Sequence, residues 1–83
     1  MLVGNKIFYY RKKYKITQVE LGEKISRTKQ YISKLERDQL NVGVSLALEI
    51  IDAFRVITKE KTFGMQMVNL KVEDIFYLKK NIP

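Results

Sequence analysis

Apolar positions recur at helical spacing along most of this chain. Val3, Ile7, Tyr10 and Tyr14 share one face and predict a first helix over residues 3–14, with Lys6, Lys12 and Lys13 on its other sides. Phe8 and Tyr9 lie off that stripe, where they either complete the core or stand as exposed contacts. A second helix begins at Thr17, because Glu20 three residues on completes a capping box. The hydroxyl takes an N–H that has no helical partner, and the carboxylate reaches back to the cap. Leu21 and Ile25 point inward from it. Gly22 sits beside them; in mid-helix a glycine costs about 1 kcal/mol against alanine, so it predicts a close approach by another helix.

Thr28 can cap a third helix over residues 28–37, with Ile32 and Leu35 inward. At about 100° per residue, Lys29, Gln30, Ser33, Lys34 and Arg37 fall within an arc of roughly 140° on the other side. The arc holds three cations, two hydrogen-bonding side chains and no acid, whereas a merely solvated face mixes both signs. A helix with such an arc, braced from behind by another, suits the major groove of DNA. Glu36 falls at the edge of the apolar stripe and needs a partner, since half-burying an unpaired charge is expensive. Arg11, one turn beyond Ile7, is the natural one.

Val44, Ala47, Leu48, Ile51 and Phe54 predict a fourth helix over residues 44–54; Val72, Ile75 and Phe76 mark a short fifth. Between them, Arg55 to Thr58 is rich in β-branched residues, and Phe63, Met65 and Met67 alternate with Gly64 and Gln66. A structureless loop of that length is uncommon in a small domain. The expectation there is a small β-hairpin at about residues 55–68, turning at Lys59-Glu60-Lys61-Thr62. The fold class expected is all-α, five helices with that hairpin inserted.

Eighty-three residues suffice for one small domain spanning 1–83. With no cysteine and no histidine, disulfides, thiolate metal sites and the commonest general base and zinc ligand are all missing. Glu20, Glu23, Glu36 and Asp38 cluster in sequence, but Glu20 and Glu36 are taken up by capping and ion pairing. The expectation is no enzyme, no cofactor and no metal. The longest uncharged run, Gln39 to Leu48, falls far short of the roughly 20 apolar residues that cross a bilayer. Lysine at Lys6 leaves no room for a secretory h-region, so no membrane association and a cytoplasmic location are expected.

The net charge of +7 is lopsided. Residues 1–40 carry ten Lys/Arg against four Asp/Glu, and residues 41–83 six against five, so the first half faces a polyanion and the second is nearly neutral. RNA is a weaker fit than duplex DNA. The aromatics available for stacking on single strands are Phe8, Tyr9 and Tyr31, and no RNA-motif spacing accompanies them.

Between Val3 and Val56 the chain resembles, without gaps, the phage repressor and Cro-like (Xre-like) helix-turn-helix family. The resemblance rests on Thr17-Gln18-x-x-Leu21, on Tyr31-Ile32-Ser33-Lys34-Leu35-Glu36, on Arg37 and Asn41, and on a closing Val72-Glu73-Asp74-Ile75-Phe76. It implies a repressor-like helix-turn-helix fold. It also implies base-facing roles for Lys29, Gln30, Tyr31, Ser33 and Lys34, and phosphate contacts from Gln18, Arg11, Thr28, Arg37, Gln39 and Asn41. Arg11 and Glu36 match the family's internal ion pair. Ser26 stands where the family usually has glycine in the inter-helix turn, Lys15 where glycine often ends the first helix, Arg27 where an apolar residue is usual and Val42 where proline is common. The function implied is a transcriptional regulator that binds double-stranded DNA sequence-specifically, as a homodimer on a palindromic operator. Its dimer surface would come from the C-terminal part: helix five and Phe76-Tyr77, with or without the hairpin expected at residues 55–68. An alternative is an antitoxin-like module that binds a protein partner through Phe63, Met65, Met67 and Val68.

Overall fold

The structure, a computed structural model, describes residues 3–79. Its elements are strand β1 (Val3–Asn5), helices α1 (Ile7–Lys13), α2 (Gln18–Lys24), α3 (Lys29–Glu36), α4 (Val44–Lys61) and α5 (Val72–Ile75), and strand β2 (Phe76–Leu78). The five helices expected from the apolar spacing are present, two of them with the starts that the capping residues announce. Thr17 Oγ1 accepts from the Glu20 N–H at 3.0 Å while the Thr17 N–H donates to Glu20 Oε1 at 2.8 Å. Thr28 Oγ1 accepts from the Tyr31 N–H at 3.1 Å. In α5 the Asp74 carboxylate does the reciprocal work, accepting from the Lys71 N–H at 2.8 Å.

Two expectations need correction. The first helix begins at Ile7, not at residue 3, because Val3–Asn5 is extended and pairs antiparallel with β2 in the register Val3↔Leu78, Gly4↔Tyr77, Asn5↔Phe76. Asn5 starts the helix instead: its Oδ1 accepts from the Ile7 N–H at 3.1 Å, an Asx turn leading into α1. The second correction concerns residues 55–68, which do not form a β-hairpin. α4 continues to Lys61, and the proposed turn Lys59-Glu60-Lys61 is its last turn. Ile50, Phe54, Ile57 and Thr58 continue one buried helical face through the β-branched stretch. The last turn is also tied to α2 by Lys24–Glu60 and Lys61–Glu20, each at 2.8 Å. Among the described residues, the two strands come from opposite ends of the sequence.

Ile7, Leu21, Ile32, Leu35, Ile50, Phe54 and Ile75 are fully buried, so every helix contributes to one core. α2 packs against both α3 and α4. Gly22 meets the close approach that its place in mid-helix predicts. A Cβ there would lie 2.6 Å from the Arg27 carbonyl oxygen, in the turn leading to α3.

Candidate nucleic-acid interface

The orientation of α3 follows from its narrow apolar stripe. Ile32 and Leu35 sink into the core, which turns Lys29, Gln30, Lys34 and Arg37 outward as exposed side chains. Ser33 and Tyr31 are half-buried on the flanks. Thr28 is exposed, its hydroxyl occupied by the cap. Gln39 and Asn41 stand exposed in the segment that follows.

Behind this face, Arg11 is held by three hydrogen bonds to two groups. Its Nε donates to Glu36 Oε2 at 2.6 Å, its Nη2 to Glu36 Oε1 at 3.1 Å and its Nη1 to the Ile16 carbonyl at 3.1 Å. The bidentate fork joins α1 to the C-terminal end of α3 in a nearly dry setting, where charge-assisted hydrogen bonds are strong. Gln18 belongs to the same cluster: its Nε2 donates to Glu36 Oε1 at 3.1 Å. An amide nitrogen carries two hydrogens, so the other remains for an outside acceptor.

Arg11 and Gln18 also border a notch of about 550 Å³ together with Lys12, Lys15, Thr17 and Lys29. Lys12, Lys15 and Lys29 are exposed, and no acid borders the notch, which gives it the charge a phosphate needs. Lys12 and Lys15 were not singled out as contacts by sequence reasoning. For Lys12 the signal was present in the basic last turn of α1, where cations also complement the helix dipole; Lys15 follows just beyond it. Asn5 was missed too. Its Nδ2 donates to the Leu35 carbonyl at 2.8 Å and to Asp38 Oδ1 at 2.9 Å, fixing the sheet to the end of α3. Lys79 pairs with the same Asp38 at 2.6 Å.

On the far side of α2, the Lys61 ammonium donates to Glu20 Oε1 at 2.8 Å and to the Lys15 carbonyl. That ammonium, followed by the Thr17 N–H, holds the Glu20 carboxyl below its ordinary range.

Residues 7–59, from the first residue of α1 to the last turns of α4, match the helix-turn-helix family. The chain belongs to the phage repressor/Cro-like helix-turn-helix family. Among curated proteins, the immunity repressor protein of Bacillus phage phi105 is 42% identical to it over 45 residues, covering 54% of this chain and 31% of that protein. The chain therefore spans about a third of the length of that relative. No solved structure matches it. Family membership makes this a DNA-binding domain of the transcription-regulator type, with α2 and α3 as its helix-turn-helix.

The departures from the family pattern keep its backbone. Ser26 in the inter-helix turn and Lys15 after α1 both have φ of 58°, the left-handed conformation that glycine adopts freely and other residues at a cost. Arg27 does not pack like an apolar residue. Its guanidinium carbon lies 5.3 Å from the centroid of the Tyr31 ring, a cation–π contact that holds both side chains at the start of α3.

Proposed function

We propose that this chain binds duplex DNA sequence-specifically as a transcriptional regulator, placing α3 in the major groove as one half of a homodimer on a palindromic operator. The supporting observation is the exposed, acid-free arc of Lys29, Gln30, Lys34 and Arg37 on a helix whose opposite side is locked by the Arg11–Glu36 fork. Gln30 has the geometry to pair bidentately with adenine, and Lys29 or Lys34 to donate to guanine O6 and N7. Tyr31 and Ser33 border the same groove face. Arg37, Gln39 and Asn41 follow one backbone strand. The other phosphate contacts come from the notch of Gln18, Lys12 and Lys15 beside Arg11, and from Thr28. A rigid α3 enters the groove without an ordering cost, which favours a discriminating contact over loose attraction. The 1–83 chain acts as a single domain in this reading. Among the described residues no helix is long and apolar enough to cross a membrane.

Titration of a palindromic duplex at several salt concentrations tests the assignment. Gln30→Ala should lose about 1–3 kcal/mol of discrimination against a mismatched site. Arg37→Ala should weaken binding to all sequences alike and lower the salt slope by about 1. If both variants bind as the parent does, α3 is not the reading element.

A second reading, contact with a protein partner, is favoured by one observation. Phe63, Met65 and Met67 are 94%, 89% and 89% exposed, and only Val68 of that segment is buried. Apolar side chains grouped in this way mark interaction surfaces. Serine at all three positions should abolish binding to such a partner and leave duplex binding unchanged; an unchanged complex would discard this reading.

A further inference from the structure

The end of α4 is built at a cost that the fold does not recover. The Gly64 N–H donates to the Lys59 carbonyl at 2.8 Å and the Phe63 N–H to the Glu60 carbonyl at 3.5 Å, the two bonds of a Schellman cap. Phe63 holds the left-handed position of that cap, with φ of 53°, where glycine is usual and a side chain is strained. Its ring stands almost wholly exposed, so packing does not offset the strain.

The chain that follows forms neither helix nor strand. Among the described residues, Met67, Val68, Asn69 and Leu70 neither donate nor accept a main-chain hydrogen bond. With α4 this segment borders a hollow of about 870 Å³. Val56, Met67, Val68 and Leu70 give the hollow apolar surface, and Arg55 and Lys59 stand exposed at its edge. Asp52, the one acid among the described residues that border it, pairs with Arg55 at 2.8 Å. Lys59 is left without an acidic partner among the described residues.

We propose that this hollow and the segment beside it receive an acidic, apolar stretch of another protein. The main chain of that stretch pairs with Met67–Leu70, an apolar side chain enters the hollow, and a carboxylate meets Lys59. The proposal deepens the protein-partner reading above and rests on it.

Main-chain groups and charge select this occupant. Spare N–H and C=O groups complement another polypeptide backbone, as in strand addition to an open edge. A lipid surface offers them nothing, since a bilayer leaves buried main-chain groups unpaired. A second copy would set Arg55 and Lys59 against their own counterparts, which like charges oppose. An acidic stretch brings the sign that Lys59 lacks. Phe63 and Met65, adjacent in sequence, add aromatic and pliable surface of the kind interfaces favour.

The probe is a displayed library of random short peptides selected on the full chain. Enriched peptides are then synthesised and titrated by fluorescence anisotropy, with thermal unfolding to check that each variant folds. The enriched peptides should carry Asp or Glu among apolar residues. Lys59→Glu should weaken their binding at least about tenfold, while Lys29→Glu, the same change of charge on the α3 arc, should leave peptide binding as it was. Bound peptide should slow hydrogen exchange at alternate amides of Met67–Leu70. Phe63→Gly should raise the thermal midpoint and weaken peptide binding, a split that a residue kept for the fold would not show.

The proposal is overturned if no peptide is enriched, if enrichment favours neutral or basic peptides, or if Lys59→Glu binds the acidic ones as the parent does. It is equally overturned if Lys29→Glu alone releases them. Two further results would replace the occupant: binding to phosphatidylcholine–phosphatidylglycerol vesicles, or self-association in sedimentation velocity, that is lost with serine at Phe63, Met65 and Met67. Neutral peptides released by that triple serine variant would refute the acidic occupant and leave the protein-partner reading standing. Peptides of any charge that ignore the triple variant would refute both.

Discussion

Arg11 Nε lies 2.6 Å from Glu36 Oε2, and each of the two side chains is only 7% exposed. The pair closes the triangle of α1, α2 and α3, because Gln18 at the start of α2 donates to the same carboxylate. Its role is to hold α3 at one angle, and its removal exposes what burial of a charge costs. Glu36→Ala or Arg11→Ala alone should destabilise the fold by about 3–5 kcal/mol, since each leaves a buried partner unpaired. The double variant Arg11→Met with Glu36→Leu should lose markedly less than the sum of the singles. Urea unfolding midpoints give both numbers, and additivity of the two singles would show that the pair is not coupled.

The turn between α2 and α3 is tight enough to respond in opposite directions to two small changes. In Gly22→Ala the new Cβ would meet the Arg27 carbonyl oxygen at 2.6 Å, against a backbone pinned by the Arg27 N–H to Gly22 carbonyl bond of 2.7 Å. That crowding should outweigh the helix propensity gained and cost about 1–2 kcal/mol net. Ser26→Gly removes the strain of a φ of 58° and should stabilise by a few tenths to about 1 kcal/mol, the flexibility of glycine offsetting part of the gain. Thermal unfolding of the two variants beside the parent decides both.

Acid should loosen the contact between the start of α2 and the end of α4. The Lys61 ammonium, then the Thr17 N–H, depress the folded-state pKa of Glu20 below its ordinary value of 4.5. The stabilisation is therefore complete above that ordinary value and is lost as pH falls through the depressed one. Lys61→Met should bring the Glu20 titration back toward 4.5, as read by carboxyl carbon NMR. It should also flatten the decline of the urea midpoint over the same acid range; an unmoved Glu20 titration would refute the coupling.

Thr58 is a candidate for stabilisation. It is 2% exposed on the buried face of α4, and its hydroxyl has no hydrogen-bond partner among the described residues. An unsatisfied buried hydroxyl costs about 1–3 kcal/mol, and valine matches its shape, so Thr58→Val should raise stability by about 1 kcal/mol. A lower urea midpoint in that variant would mean that the hydroxyl is satisfied after all.

Helices α2 and α3 were legible because their determinants are local. A threonine with a glutamate three residues later caps α2, a threonine caps α3, and the apolar spacing of Ile32 and Leu35 alone decides which side of α3 turns to solvent. The need of Glu36 for a partner, and the place of Arg11 one turn beyond Ile7, also lie within reach of helical geometry. Residues 55–61 were misread because Val56, Ile57 and Thr58 favour strands by type, while their burial favours a helix by position. Only packing separates the two. The deciding contact is the burial of Ile57 and Thr58 against the core; the exposed pairs Lys24–Glu60 and Lys61–Glu20 add little to it.

What the amino-acid order determined by itself is the set of helices that hydrogen-bond and cap within a few residues, together with the cationic arc that one of them presents. Tertiary structure alone decided that Val3–Asn5 becomes a strand, since its partner Phe76–Leu78 lies at the other end of the chain. It also decided that α4 runs on to Lys61 and that Phe63, Met65 and Met67 are left outside the core. A strand has no hydrogen bonds of its own, and a helix of mixed propensity has no fixed end. Each is settled by the surface it meets, which local spacing does not encode.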